Sequence, residues 1–575
     1  MNEVLFLALG IPLLLVGGTI FEYCRRFQKE QRQLRVLRDR FGAWGGDGSM
    51  LARAEEYWHS GEHPARPGRF LLDDITWDDL ELDAVYRALD HCQSVMGKVV
   101  LYETLRTLHT DGTAGEERAA LCQALDEESA LQLQARLSRL GDRPGSGNFQ
   151  DMQLLCRGGE IFATPYRVPI LLFAPLPLIF LILTPLAPAE GVLLFLITII
   201  FNMIGSMILK GKIPTFRAGR SLGVFVNTAE KLLPAVRGLD PAMGERLDAA
   251  LQGMRPFRLP LNLLAIDATT DEMGFNIGNF IGLGLLAYLR LEHLIHKKQA
   301  DIQQLVETLG QIDLACAEVS FRQGLPFLCE PEYSQVPGVE TVSLYHPMLD
   351  NPVPNDAELA RNVLITGSNA SGKSTFMRAV GLNCVLAQTF GFCTARRFRL
   401  RLGGVASSMN NADDLHSGNS YFVNEAQALR RLIRLAEQEY CHLFIDEIFR
   451  GTNTLERVAA SAAMLRLLYE QTDSMCITAT HDMELTDILR REYQMLHFSE
   501  ESREGKIYFD YKLRTGPSRT KNALLLLRDF GFPAEMVDQA EELTDAFSRT
   551  NRWPQFDPAG TPGEDSCNAA GLLLQ

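Results

Sequence analysis

Residues 363–376 read VLITGSNASGKSTF, and this stretch limits the fold more than any other segment of the chain. An apolar run, a loop of the form G-x-x-x-x-G-K-[ST] and then TFMRAVG require a strand, a glycine turn and a helix in succession. Only the backbone amides of such a turn and the helix N-terminus can surround a polyphosphate. Units of this kind assemble into parallel sheets flanked by helices. Gly367, Ser368, Asn369, Ala370, Ser371, Gly372, Lys373, Ser374 and Thr375 are the candidates for nucleotide contact. Lys373 is expected to reach the β- and γ-phosphates, and Ser374 to offer its hydroxyl to Mg²⁺.

Three further segments fit the same chemistry. Cys441-His-Leu-Phe-Ile-Asp446-Glu447 is an apolar strand ending in two carboxylates. Asp446 is the candidate for the Mg²⁺ shell and Glu447 for orienting or deprotonating the attacking water. Paired acids here favour an ABC-type ATP hydrolase over a GTPase or a small-molecule kinase. Met475 to His481 is a second strand, placing His481 where an imidazole can sense a γ-phosphate. Ser417, Gly418, Asn419 and Ser420 form a polar turn opening a helix. Such a turn offers donors to an anion, and it is expected to complete a partner's site in a homodimer.

Two apolar blocks point to a bilayer. Val4 to Phe21 is uncharged and is followed by Arg25, Arg26, Lys29, Arg32, Arg35, Arg38 and Arg40. It has no basic segment before it and no A-x-A site after it, so an uncleaved anchor is expected, with the N-terminus outside and the basic cluster in the cytoplasm. Val168 to Leu209, broken near LTPLAPAEG, reads as a hairpin of two spans, the first bent by Pro169, Pro175, Pro177 and Pro185. Met273 to Leu289 is also uncharged but rich in glycine and asparagine. A fourth span would export the phosphate loop away from ATP, so this segment is read as a packed helix of a soluble domain. The expectation is a multi-pass protein of the cell membrane with three spans and a cytoplasmic ATPase domain.

The ordered set LITGSNASGKSTFMRAVG, DDLHSGNSYFVNEAQAL, FIDEIFRGTNT and TATHDMEL resembles the MutS family of DNA mismatch-repair ATPases. Tyr345-His-Pro-Met-Leu349 and Val353-Pro-Asn-Asp356 are similar to elements preceding that family's loop, and YKLRTGPSRTKNALLLLRDFGFPAEMVDQAEEL to its closing strand and dimerisation helices. A weaker similarity, Leu80 to Arg106 and Thr308 to Pro331, corresponds to the family's helical core. The resemblance covers about residues 73–160 and 214–545. It implies ATP with Mg²⁺ at a composite dimer site, Ser417 and Gly418 acting in trans, and DNA as a partner. Asn419 and Tyr421 depart from the usual signature, as does Ala370-Ser371 from the usual Met-Gly. The family's Phe-x-Glu mismatch reader has no counterpart in the first 70 residues, so base-pair wedging is not expected.

The fold class expected is therefore mixed: transmembrane helices and a helical core or lever, then an α/β P-loop ATPase domain of ABC type. The segments are an anchor (1–22), a basic helix and linker (23–72), the N-terminal half of the helical core (73–166), the hairpin (167–210), a lever with the returning half of the core (211–335), the ATPase domain (336–515), dimerisation helices (516–548) and a tail (549–575). With 56 Lys and Arg against 71 Asp and Glu, the net charge of −15 excludes a surface coated in cations, so DNA contact must be local. Arg396, Arg397, Arg399 and Arg401 are one such patch, equally readable as a solvated face. The 11 cysteines show no metal-ligand spacing, and no zinc or disulfide is assigned. The leading function is a membrane-anchored, MutS-like ATPase coupled to DNA. The alternatives are an ABC-type switch or transporter component that does not bind DNA, and a degenerate ATPase serving as a scaffold.

Overall fold

The computed structural model describes residues 31–46, 48–61, 66–142, 148–157, 165–212, 214–268, 282–368, 371–409, 421–503, 506–518, 530–550 and 552–555, with isolated positions besides. It divides into two compact units. One contains Glu81–Pro326 with the chain up to Leu71 and Gln388–Gly391; the other contains Leu72–Leu80, Phe327–Ala387 and the chain from Phe392 onward. The anchor at 4–21, the signature turn at 417–420, Asn369, Ala370 and the tail beyond 555 lie outside the described residues.

The first unit is helical, with one two-stranded ribbon formed by β1 (Arg69–Leu71) and β2 (Thr107–His109). Its axis is the helix Gln299–Gly324, whose middle is buried on nearly every side, including Leu309, Ile312, Ala315 and Cys316. A helix buried all round belongs inside a bundle. It crosses Val95–Arg106 closely because position 97 is glycine: a Cβ there would stand 2.4 Å from an Asp313 carboxylate oxygen. That buried carboxylate accepts from the amides of Gln93 and Ser94 and from the Ser94 hydroxyl at 2.6 Å. It thereby satisfies donors at the start of the Val95–Arg106 helix. Arg118 and Glu318 form a buried pair at 2.6 Å, and Arg322 approaches the same carboxylate at 2.5 Å. These contacts link the two stretches identified as halves of one core across about 200 residues of sequence.

The apolar hairpin belongs to this unit. Pro188–Lys212 is one continuous helix, and its segment Pro188–Gly205 is the one described helix long and apolar enough to cross a membrane. The preceding leg is not continuous. It breaks at Ala174 and Pro175 into Arg167–Phe173 and Leu176–Leu183, because Pro175 and Pro177 lack the amides that would carry a helix through. Asn202 bridges the two legs, its amide donating to the Ala174 carbonyl at 3.0 Å. Leu172, Ile182, Leu186, Leu193, Ile200 and Phe201 are exposed, an apolar surface far larger than scattered side chains would make. From the region read as a packed soluble helix, Leu283–Lys297 is described: Leu285 joins Ile170 and Ala174 in one apolar cluster, and Tyr288 is buried.

The second unit holds two sheets. The larger has the order β12–β11–β6–β10–β9–β8, formed from Lys506–Thr515, Gln494–Arg503, Asn362–Thr366, Met475–Thr480, Cys441–Asp446 and Gly404–Ser408. All neighbours run parallel except β12 against β11. β6, β9 and β10 are buried at every position, as the uninterrupted apolar runs require of strands covered on both faces. The smaller sheet, β3–β7–β4–β5, consists of Pro331–Ser334, Arg397–Arg401, Val339–Leu344 and Asn355–Leu359. The basic patch lies here. Arg397 pairs with Glu332 at 2.8 Å, Arg399 with Glu340 at 2.8 Å, and Arg401 lies over Tyr440 and 3.9 Å from Asp473. Arg396 stacks on Phe327. Arg397 and Arg399 thus tie β7 to β3 and β4, a structural role for two of the four cations.

Candidate functional site

In open parallel sheets, ligands gather beyond the carboxyl ends of the strands. β6, β10 and β9 are adjacent and in register there: Thr480 pairs with Thr366, and Ala479 with Asp446. Three sequence-distant segments thus deliver their terminal residues to one place.

The phosphate loop leaves β6 and enters the helix Lys373–Thr389. Gly367 and Gly372 have φ of +147° and +104°, conformations that side chains resist. Lys373 is buried, and its Nζ donates to the carbonyls of Gly367 and Ser368, each at 2.8 Å. It also lies 3.4 Å from His481 Nε2. Ser374 donates its hydroxyl to Asp446 Oδ2 in a very short contact. The hydroxyls of Ser368 and Ser371 are buried without a partner among the described residues. Buried polar atoms are ordinarily satisfied, so these hydroxyls are candidates to meet a bound polar group. Thr375 lines a cavity together with Lys373 and Ser374.

Glu447 follows Asp446 at the end of β9 and adopts φ +57°. Its amide donates to the Ala479 carbonyl at 2.9 Å, fixing it against β10. Its carboxylate touches His481 Nε2 at 3.0 Å on one oxygen and Arg450 Nε at 2.7 Å on the other. The His481 hydrogen bond, then the charges of Arg450, His481 and Lys373, outweigh partial burial and hold this carboxyl below the usual range. Glu447 is therefore ionised at neutral pH. Asp482, next to His481, is held by Arg457 in a bidentate pair at 2.6 and 2.9 Å.

Lys373, Ser374, Asp446 and Glu447 line one cavity of about 820 Å³. Its other wall was not assigned from sequence: Tyr345, His346, Asn355, Phe498 and Tyr511. Asn355 ties this wall together by donating to the Tyr511 carbonyl and accepting from the Leu513 amide, both at 2.9 Å. Aromatic and amide groups opposite a phosphate loop suit the base and sugar of a nucleotide. The proximity of YHPML and VPND to the loop was the available signal. Arg450 and Glu425 are the other residues missed.

Residues 363–548 match the family model of MutS domain V. The chain is 30% identical to the DNA mismatch repair protein MutS of Thermus thermophilus over 270 residues, 45% of this chain and 32% of that protein. These matches support membership of the MutS family. It is also 28% identical to MutS of Streptococcus gordonii over 303 residues, 50% of this chain and 35% of that protein, and 29% identical to MutS of Natronomonas pharaonis over 272 residues, 46% of this chain and 31% of that protein. The alignments span about a third of the length of these MutS relatives. The domain V match begins at Val363, the second residue of β6, and so takes in the phosphate loop, β9, β10 and the C-terminal helix Ala534–Thr550.

Proposed function

We propose that this MutS-family chain is an ATP hydrolase fixed in the cell membrane, working as a homodimer whose nucleotide cycle is coupled to DNA. The observation that carries the hydrolase reading is the convergence of Lys373, the Ser374–Asp446 pair and Glu447 on one cavity, with His481 hydrogen-bonded to the Glu447 carboxylate. Lys373 neutralises the phosphates, and Gly367 to Thr375 enclose them. Ser374 and Asp446 are the pair suited to Mg²⁺, which supplies charge neutralisation on the β- and γ-phosphates when bound. Water attacks the γ-phosphorus, the bond to the ADP oxygen breaks, and the water's proton passes to the ionised Glu447 carboxylate. His481 orients that carboxylate through its Nε2 and, as the family resemblance implies, is the candidate γ-phosphate sensor.

Ser417, Gly418, Asn419 and Ser420 are assigned to the partner's nucleotide, as the family resemblance implies. The dimer reading draws support from Phe530, Phe532 and Met536, which are exposed on and beside the C-terminal helix. The membrane reading draws support from the exposed apolar hairpin and the candidate span Pro188–Gly205. In this reading Val4 to Phe21 and the two hairpin legs cross the bilayer, with the N-terminus outside and the ATPase domain cytoplasmic. The DNA reading draws support from relatives named as DNA mismatch repair proteins.

Replacing Glu447 by Gln is the decisive test. Turnover should fall at least 100-fold while ATP binding stays within about threefold, since the proton acceptor is lost and the phosphate contacts remain. Turnover unchanged in E447Q would remove the hydrolase assignment. Duplex DNA titrated at low salt, with and without a mismatch, tests the coupling. If neither duplex binds or alters turnover, the non-DNA switch replaces this reading.

A further inference from the structure

Glu425 lies on the helix Tyr421–Gln438 and is completely buried. A buried carboxylate carries a large desolvation cost unless donors surround it. Here the donors come from the turn that follows Glu447. Glu425 Oε1 accepts from the Arg450 amide at 3.2 Å; burial pushes the carboxyl's pKa up, and the amides of Arg450, Phe449 and Gly451 offset part of that cost. Oε2 has no hydrogen-bond partner among the described residues. Successive amides converging on one anion form a nest, a geometry that fixes the backbone supplying it.

That backbone requires fixing. Glu447 and Phe449 both have positive φ, +57° and +56°, although neither is glycine. Non-glycine residues hold such conformations only when their surroundings over-determine them. Two contacts join this turn to the Glu425 helix: the amide nest, and the Phe449 ring 5.8 Å from that of Phe422. The same turn carries Arg450, whose Nε grips the Glu447 carboxylate at 2.7 Å and whose Nη2 donates to the Asp446 carbonyl at 3.1 Å. The position of Glu447 is thus set on one side by β10 and His481, and on the other by a turn anchored to Glu425.

We infer that Glu425 is a positioning residue for ATP hydrolysis, transmitting the position of the Tyr421–Gln438 helix to Glu447 through the amides of residues 449–451. The inference rests on the hydrolase reading above. Glu425 touches no substrate; its effect is on the placement of the general base. A shift of its helix draws the turn with it and moves the base relative to the attacking water.

The experiment compares wild type, E425Q, E425A, F449A and the double variant E425Q/F449A in the full-length protein, measuring kcat, the KM for ATP and thermal stability. Glutamine keeps an acceptor but loses the charge that makes amide–carboxylate bonds the stronger kind. The expected result is a kcat three- to tenfold lower in E425Q and more than tenfold lower in E425A, with KM within twofold of wild type. Replacing Phe449 by Ala removes the other contact between the turn and the helix, its ring on Phe422, and F449A should lower kcat in the same direction with KM again within twofold. E425Q/F449A should lose more kcat than either single variant. Where E425A does not fold, E425Q and F449A decide. An unchanged kcat in E425Q or F449A, or a loss shared equally with KM, overturns the inference. If wild type itself hydrolyses no ATP, the hydrolase reading fails instead, and the two failures are distinct.

Discussion

Gly367 to Ala adds a single methyl group where the structure leaves no room for it. At φ +147°, residue 367 sits in a region open essentially to glycine, and any other residue there costs on the order of 1–3 kcal/mol. The added Cβ would also stand 2.7 Å from the carbonyl oxygen of Phe498. That oxygen belongs to β11, which runs parallel to β6 with Leu496 opposite Ile365 and His497 opposite Thr366. Neither side of the clash is the end of a flexible side chain, so the loop must move. Its carbonyls at Gly367 and Ser368 are the two acceptors that hold Lys373, and a moved loop releases that amine from its place beneath the phosphates.

If the loop keeps its conformation in the bound state only by meeting the strain, about 2 kcal/mol is lost from nucleotide affinity, roughly a 30-fold rise in Kd. Titration calorimetry with ATP and Mg²⁺ reads this directly, with thermal unfolding as a check on the fold. Gly205 to Ala is the control, since a Cβ there meets nothing within 4 Å. A Kd for G367A within threefold of wild type would refute the claim that this backbone conformation builds the site.

Two further outcomes test other regions of the molecule. Leu186 lies at the hairpin tip and is highly exposed, so a cysteine placed there should react with a membrane-impermeant maleimide applied from outside intact cells; Ile197 to Lys, which costs about 3 kcal/mol at mid-bilayer, should abolish that labelling. Labelling of L186C only after permeabilisation would exclude the hairpin topology. His442 is wholly buried in β9, bonded to the Arg401 carbonyl at 2.7 Å, and burial pushes its pKa down to about 4 from an ordinary 6.5. Between these values the unfolded chain binds the proton and the folded chain does not, so stability present above pH 6.5 is lost as pH falls toward 4, by about 3 kcal/mol. H442Q should flatten the dependence of Tm on pH over that range, and an unaltered slope would assign the acid sensitivity elsewhere.

What could be read from the residues alone followed how local the chemistry is. The phosphate loop was legible because polyphosphate binding demands glycine, lysine and serine at fixed spacing on one short segment. β9 and β10 were legible because buried parallel strands are unbroken apolar runs, and a polar residue at such a run's end marks the ligand side. Glu425 was not. In FVNEAQALRRL it looks like any carboxylate on an amphipathic helix, and only the approach of residues 449–451 buries it. The pairing of the β7 arginines was not legible for the same reason. Their partners Glu332 and Glu340 lie about 60 residues earlier, so a local count of charge sees the cations without the carboxylates. The hairpin's first leg was read as one bent span, and its prolines divide it into two short helices.

The way the hairpin joins the helical unit bears on what it can do. Asp151 accepts from Arg217 Nε at 3.0 Å and from the Ser221 hydroxyl at 2.6 Å, so the chain leaves the core and returns to it at nearly one point. The core is closed independently of the excursion, through Asp313 on Ser94 and Glu318 on Arg118. An insertion whose ends meet places little demand on the fold that carries it. Yet this one is not hinged freely. Leu285 packs with Ile170 and Ala174, and Pro214–Leu239, which carries Arg217 and Ser221, also supplies Phe225, Leu232 and Val236 to the buried core. The hairpin is thus braced at its base by the same helices that form the core, and a tilt of the apolar legs has a direct mechanical path into that unit.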